Sequence, residues 1–252
     1  MPPSRRKRLT RRRRQRRRQA GGSEKHTVVI IEPRKTKQKA LEFVLRNALL
    51  LPPEWSILMF YGTGNRELVE KFIRTLTEEE AARISLKPLG TANLTEKEYN
   101  HLMMSRVILD QIPTEVFLVM QVDSIICREG LHLLPEFMKY DYVGAPWKEH
   151  NKVGNGGFSL RRKTKMLEVL DKCSELIEIN NEDGFFSGGC AAVNVYKPSA
   201  EEAEKFAVET TYKGTQPFGI HKAWEHLKDG HEDLEGRCSR YKALKEINLE
   251  VQ

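Results

Sequence analysis

Three short apolar runs set the terms on which this chain can fold: Thr27-Val-Val-Ile-Ile31, Trp55-Ser-Ile-Leu-Met-Phe60 and Val116-Phe-Leu-Val-Met120. Each is apolar at consecutive positions rather than alternate ones, so each predicts a strand covered on both faces, the third continuing over 116–122. The stretches between them have helical spacing. Residues 37–50 put Ala40, Leu41, Val44, Leu45, Ala48 and Leu49 on one stripe before Pro52-Pro53 ends it. Residues 65–76 suit a second helix, and Arg83-Ile-Ser-Leu86 a further strand. Thr95-Glu-Lys-Glu98 has the form of a capping box and opens a helix predicted to carry Tyr99, Leu102, Met103 and Val107 on one face. Strand and helix alternate, which predicts an α/β architecture with a mostly parallel sheet flanked by helices. Ligands of such sheets bind beyond the carboxyl ends of the strands, where Glu32 and Asp123 fall.

The second half is less regular. It predicts a short strand near 140–143, a glycine bend at Gly154-Asn-Gly-Gly157, extended chain over Phe158-Ser-Leu-Arg161, and a helix over 162–173. A short helix over 199–207 and a charged, helical tail follow. No internal repeat is present, and 252 residues suit one larger α/β domain. The expected division is an arm over 1–24, the α/β domain over 25–230 and the tail over 231–252.

Charge is unevenly placed. Eleven of the 42 Lys and Arg residues lie within residues 1–22, which hold no acid. The rest of the chain has 31 basic residues against 35 acidic ones, so the formal +7 belongs to the arm and the body is near −4. Mutual repulsion and the lack of apolar residues predict a disordered arm. Residues 5–18 suit nuclear import, RNA binding or a tether to an anionic membrane surface. No apolar run approaches the ~20 residues of a membrane span, and the start lacks a signal-peptide core. Cys127, Cys173, Cys190 and Cys238 are widely spaced without a Cys-x-x-Cys pair. That suggests neither zinc nor a disulfide framework, and predicts reduced thiols in a cytoplasmic or nuclear protein.

Several residues suit chemistry. Asp123, just past a buried strand, either offers oxygen to Mn²⁺ or Mg²⁺ or, with Ser124, caps a following helix. The glycine bend either lets backbone approach a ligand, with positive φ permitted, or is an ordinary hairpin turn. Arg161 or Arg162 can offer a fork to phosphate. Glu182-Asp183 either takes a proton from an incoming hydroxyl or decorates the first turn of a helix. His221 can be a nitrogen ligand beside a carboxylate or an unremarkable loop histidine.

The order of these segments is more specific than any one of them. A strand ending in Gln121-Val-Asp-Ser124, then Asp141-Tyr-Val-Gly-Ala-Pro-Trp147, Gly154-Asn-Gly-Gly-Phe-Ser-Leu-Arg161, Glu182-Asp183 and Gly219-Ile-His221 resembles a little-characterised family. Its members are glycosyltransferase-like proteins with the GT-A fold, found in fungi, bacteria, algae and large DNA viruses of algae. The resemblance spans about residues 27–226. It implies a nucleotide-sugar donor, a hydroxyl acceptor and a divalent cation, Mn²⁺ or Mg²⁺. It implies that Asp123 is the last acid of the metal motif, with Gln121 where the first acid stands, and that His221 is the late histidine ligand. Asp183, or Glu182, corresponds to the base of inverting members. Gly156 and Gly157 would border donor and acceptor, and Glu32 and Arg34 would lie by the nucleotide. The competing expectations are a nucleic-acid-binding protein working through the arm and a catalytically inactive sugar-binding or nucleotide-binding relative, which Gln121 favours.

Overall fold

The three apolar runs become neighbouring strands. A computed structural model describes residues 25–148, 152–179 and 181–250. The basic arm and the roles foreseen for it lie outside the described residues. The strands are β1 (His26–Glu32), β2 (Trp55–Tyr61), β3 (Ile84–Pro88), β4 (Val116–Met120), β5 (Ser124–Ile126), β6 (Tyr142–Gly144), β7 (Pro146–Trp147), β8 (Lys152–Val153), β9 (Phe158–Arg162), β10 (Ala207–Val208) and β11 (Gly219–His221). Six of them form the main sheet in the order β3-β2-β1-β4-β9-β6. Its strands run parallel except β9, which is antiparallel to both of its neighbours. This is the mostly parallel sheet expected from the alternating pattern.

Consecutive apolar residues are needed because both faces are covered. Val28, Ile30, Ile57, Met59, Leu118 and Met120 enter one core. Their strand neighbours Val29, Ile31, Leu58, Phe60, Phe117 and Val119 enter the other. That division follows from side chains alternating across a strand. The first core takes Leu41, Val44 and Leu45 from the helix Gln38–Ala48, and Leu234, Tyr241 and Leu244 from the last two helices. The described part of the tail therefore shares the domain's own core. The second core is covered by the helices Glu96–Met103 and Lys163–Lys172, and by Phe185 and Phe186.

The capping box forms as predicted, with Thr95 accepting from Glu98 N–H and Glu98 accepting from Thr95 N–H. The helix does not run on to Val107, however. Met104 leaves helical geometry, Ser105 is extended, and a separate turn Arg106–Leu109 begins. The new turn buries Ile108 and Leu109 and leaves Val107 62% exposed. The break resets the helical phase, so an unbroken 3.6-residue period assigned the wrong face.

The cysteine reading is also corrected. Cys127 pairs with Cys238 and Cys173 with Cys190, with Cα atoms 4.9 and 5.8 Å apart. Partners separated by 111 and 17 residues carry no local signature. Only the packing of the last helices against β5, and of the 174–190 loop against its preceding helix, brings them within bonding range. Such bonds belong to oxidising surroundings, so the thiol argument for a cytoplasmic or nuclear location falls away. No helix among the described residues is long and apolar enough to cross a membrane.

Candidate active site

The site forms where β1 and β4 end and β9 begins. Because β9 is antiparallel, its start lies beside the end of β4, with Met120 opposite Phe158. The glycine bend therefore arrives at the carboxyl edge of the parallel strands, and Gln121 N–H donates to Gly157 C=O at 2.9 Å. The chain then turns tightly: Ser124 N–H and Oγ both donate to Gln121 C=O. It leaves as strand β5 rather than as a helix, so Asp123 caps nothing and stands at the apex of the turn. Strand β11 pairs antiparallel with β5 and places His221 opposite Ser124. His221 is thus a strand residue, not the loop residue expected. Lys222 N–H donates to Asp123 C=O at 3.0 Å, which locks the two segments together.

A cavity of about 390 Å³ lies over this junction. Asp123, His221 and Asp183 all line it, as do Glu32, Arg34, Gln121, Glu182, Gly156 and Gly157. Of the residues singled out in the sequence, Ser124 and Arg162 are not on its wall, and neither is Arg161. Its guanidinium is 1% exposed and is spent inside the protein, on Glu182 Oε2 at 2.6 Å, Glu182 Oε1 at 3.1 Å, Gly156 C=O at 3.3 Å and Ser159 Oγ at 2.8 Å. The fork expected for phosphate instead holds the bend against the acidic pair.

That pairing separates the two acids. Glu182 is buried and neutralised by Arg161, and its N–H is held by Asn100 Oδ1 at 2.9 Å. Asp183 is half-buried and has no cation partner among the described residues; Gly184 N–H donates to its Oδ1 at 2.7 Å. Burial, and then the Glu182 charge, push Asp183 up to about 6. Both acids do occupy the first turn of a short helix, Glu182–Gly184, so that reading holds beside the chemical one.

The glycines at 156 and 157 are required by proximity. A Cβ on Gly156 would stand 2.0 Å from Glu182 Oε1, and one on Gly157 would stand 2.2 Å from His221 Nε2. Neither has positive φ, so the conformational freedom anticipated for the bend is not what selects them.

Beside Gly157, His221 Nε2 lies 3.3 Å from Gln121 Oε1 and 3.3 Å from Asp123 Oδ1. The approach to Asp123 is an ionic contact without hydrogen-bond alignment, so Oδ1 is buried and unpartnered. Burial alone would lower His221, but the Asp123 and Glu209 carboxylates outweigh it and hold the ring up to about 10. Conversely, burial would raise Asp123, and His221 overrides it downward. An orphaned carboxylate oxygen beside an amide oxygen and an imidazole, once a cation displaces the proton on Nε2, is a donor set that fits Mn²⁺ or Mg²⁺. Among the described residues no three His, Cys, Asp or Glu side chains form a cage that could hold a metal by themselves. Water would fill the remaining positions around a cation here, and diphosphate oxygens would replace some of it when a donor is bound.

Glu32 is 1% exposed and engaged by Arg34, which donates Nε to Oε1 at 2.8 Å and an Nη to Oε2 at 2.6 Å. The acid orients the arginine, whose side chain remains 42% exposed toward solvent. Three neighbours had escaped the sequence reading. Glu209 receives hydrogen bonds from His221 Nδ1 and Asn155 Nδ2. Tyr99, hydrogen-bonded to Gln121, lines the cavity and is pushed upward by burial. Lys222 also lines it and is the one non-glycine residue with positive φ among those described (49°). Such strain concentrates at functional sites. For Glu209 the sequence held no local signal, since Phe206-Ala-Val208 before it is too short to read as a strand.

A family model described as protein of unknown function (DUF5672) matches residues 83–221, more than half of the chain. The chain belongs to the DUF5672 family. The matched segment holds β4, the glycine bend, the acidic pair and His221, so this DUF5672 protein carries most of its cavity wall inside the family region. No curated protein matches it. Among solved structures, the galactosyltransferase LgtC in complex with donor and acceptor sugar analogs is 10% identical with a TM-score of 0.57, covering 86% of this chain and 94% of that one. The glycosyltransferase GlyE of Streptococcus pneumoniae is 13% identical with a TM-score of 0.55, covering 89% and 63%. The mannosyltransferase PcManGT of Pyrobaculum calidifontis, in complex with GDP-Man and Mn²⁺, is 11% identical with a TM-score of 0.50, covering 76% and 61%. The chain spans less than two thirds of the Staphylococcus aureus TarS 1–349 and GlyE structures that it matches. At these identities the likeness shows the fold, which is the GT-A-like fold that the sequence resemblance implied.

Proposed function

We propose that this DUF5672 protein is a glycosyltransferase that moves a sugar from a nucleotide-sugar donor to a hydroxyl acceptor. One observation carries the reading: Asp123, Gln121, His221 and an unpaired Asp183 face a single cavity at the carboxyl edge of a GT-A-like sheet. Arg34 and Lys222, on the same wall, offer positive charge to a diphosphate, and Gly156 and Gly157 leave room for the sugar between the two acidic sides.

In the proposed reaction Asp183 accepts the proton of the acceptor hydroxyl. The acceptor oxygen forms its bond to the anomeric carbon as the bond from that carbon to the diphosphate oxygen breaks. The nucleoside diphosphate departs with the bonding pair, and the stereochemistry inverts. Asp123 and His221, with Gln121, would hold Mn²⁺ or Mg²⁺, which when bound offsets negative charge on the leaving group. Glu182 is not a second base; its charge is neutralised by Arg161 and it serves to raise Asp183.

A thermal-shift screen of UDP-, GDP- and other nucleotide-sugars, with and without Mn²⁺, tests the reading. At least one donor should raise Tm in a metal-dependent way and then be hydrolysed or transferred. If no nucleotide-sugar stabilises the protein in either condition, the assignment as a transferase is wrong.

A further inference from the structure

We propose that Glu209 is the positioning residue of this site: its carboxylate fixes which nitrogen of His221 meets a cation and ties that ring to the glycine bend. The proposal rests on the reading of Asp123 and His221 as cation ligands. Glu209 follows β10 directly, is 6% exposed and does not line the cavity. It therefore acts through other residues rather than on substrate. Its Oε1 receives two hydrogen bonds, from His221 Nδ1 at 2.9 Å and from Asn155 Nδ2 at 2.7 Å.

The first bond makes Nδ1 the nitrogen that carries hydrogen, which directs Nε2 toward Asp123 and Gln121. A carboxylate in that role also raises the basicity of the nitrogen that binds metal. The second bond anchors Asn155, whose neighbours Gly156 and Gly157 lie against Glu182 and His221. One buried acid thus couples the cation side of the cavity to its sugar side. A buried carboxylate is costly to keep, and a purely structural acceptor at this place could equally be a neutral amide. The charge is what a cation ligand would use.

The test is calorimetric titration of Mn²⁺ alone into the full chain and three variants. Glu209→Gln keeps an acceptor and loses the charge; Glu209→Leu loses both. Glu204→Gln removes another buried carboxylate, on the helix before β10, that pairs with Lys213 away from the cavity. Glu209→Leu should weaken Mn²⁺ binding by about 10- to 100-fold and Glu209→Gln by about 3- to 10-fold, the range seen when a partner behind a metal ligand is removed. Glu204→Gln should bind as wild type does. If Glu209→Leu fails to fold, Glu209→Gln decides. Wild-type affinity in both Glu209 variants, or an equal loss in Glu204→Gln, overturns the proposal and leaves the transferase reading standing. A wild-type protein that takes up no Mn²⁺ removes the cation reading and this inference together.

Discussion

Asp183 and Glu182 are adjacent acids with different fates, and the difference comes from one arginine. Arg161 takes both oxygens of Glu182 and leaves Asp183 without a counter-charge. Asp183 must shed its proton to act as base, and it is held up to about 6. Transfer should therefore fall as pH drops through about 6 and level off above it, read as kcat against pH. Asp183→Asn should lower kcat by about 10²- to 10⁴-fold while melting as wild type does; full activity would remove Asp183 from this role. Glu182→Gln should instead act on stability. It strands the Arg161 charge in the interior, an error that costs about 3–5 kcal/mol, to be measured by denaturant unfolding.

The bend 154–157 matters as an element because three other segments press on it. His221, Glu182 and Trp147 all approach its backbone too closely for a side chain. Gly157→Ala should abolish turnover by displacing His221, and Gly156→Ala by pushing Asp183 out of place, since the added carbon would stand 3.0 Å from its Cβ. Gly236, inside the helix His231–Arg237, has open space around it. Gly236→Ala should leave turnover intact and stabilise the fold by about 0.5–1 kcal/mol. Equal losses in all three variants would mean that the bend has no special demand for glycine. The bend was legible in the sequence as a place of close approach; that its partners are Glu182 and His221 was not.

At the scale of the whole molecule, the last helices and the first sheet are one unit. Tyr241 and Leu244 lie in the same core as β1 and β2, and the Cys127–Cys238 bond joins them. Peptide mapping without reductant should recover both disulfide pairs. Cys127→Ser with Cys238→Ser should lower unfolding free energy by about 2–4 kcal/mol. Free thiols throughout the native protein would contradict the pairing. Removing residues 1–22 takes away eleven basic residues and none of the cavity wall. Turnover should persist in the shortened chain, whereas a protein working chiefly through nucleic acid would lose its affinity.

The sequence by itself determined the alternation of buried strands with amphipathic helices, and hence which strand ends share an edge. Apolar periodicity is a local property, so Asp123 and Glu32 could be assigned to that edge without coordinates. The tertiary structure alone decided what each polar residue does there. It gave Arg161 to Glu182, left Asp183 unpaired, set Glu209 behind His221 and closed two disulfides across 17 and 111 residues. Those outcomes depend on distances between segments far apart along the chain. They also depend on burial, which makes an unpaired charge costly and a paired one inert, and neither quantity is written in the order of the residues.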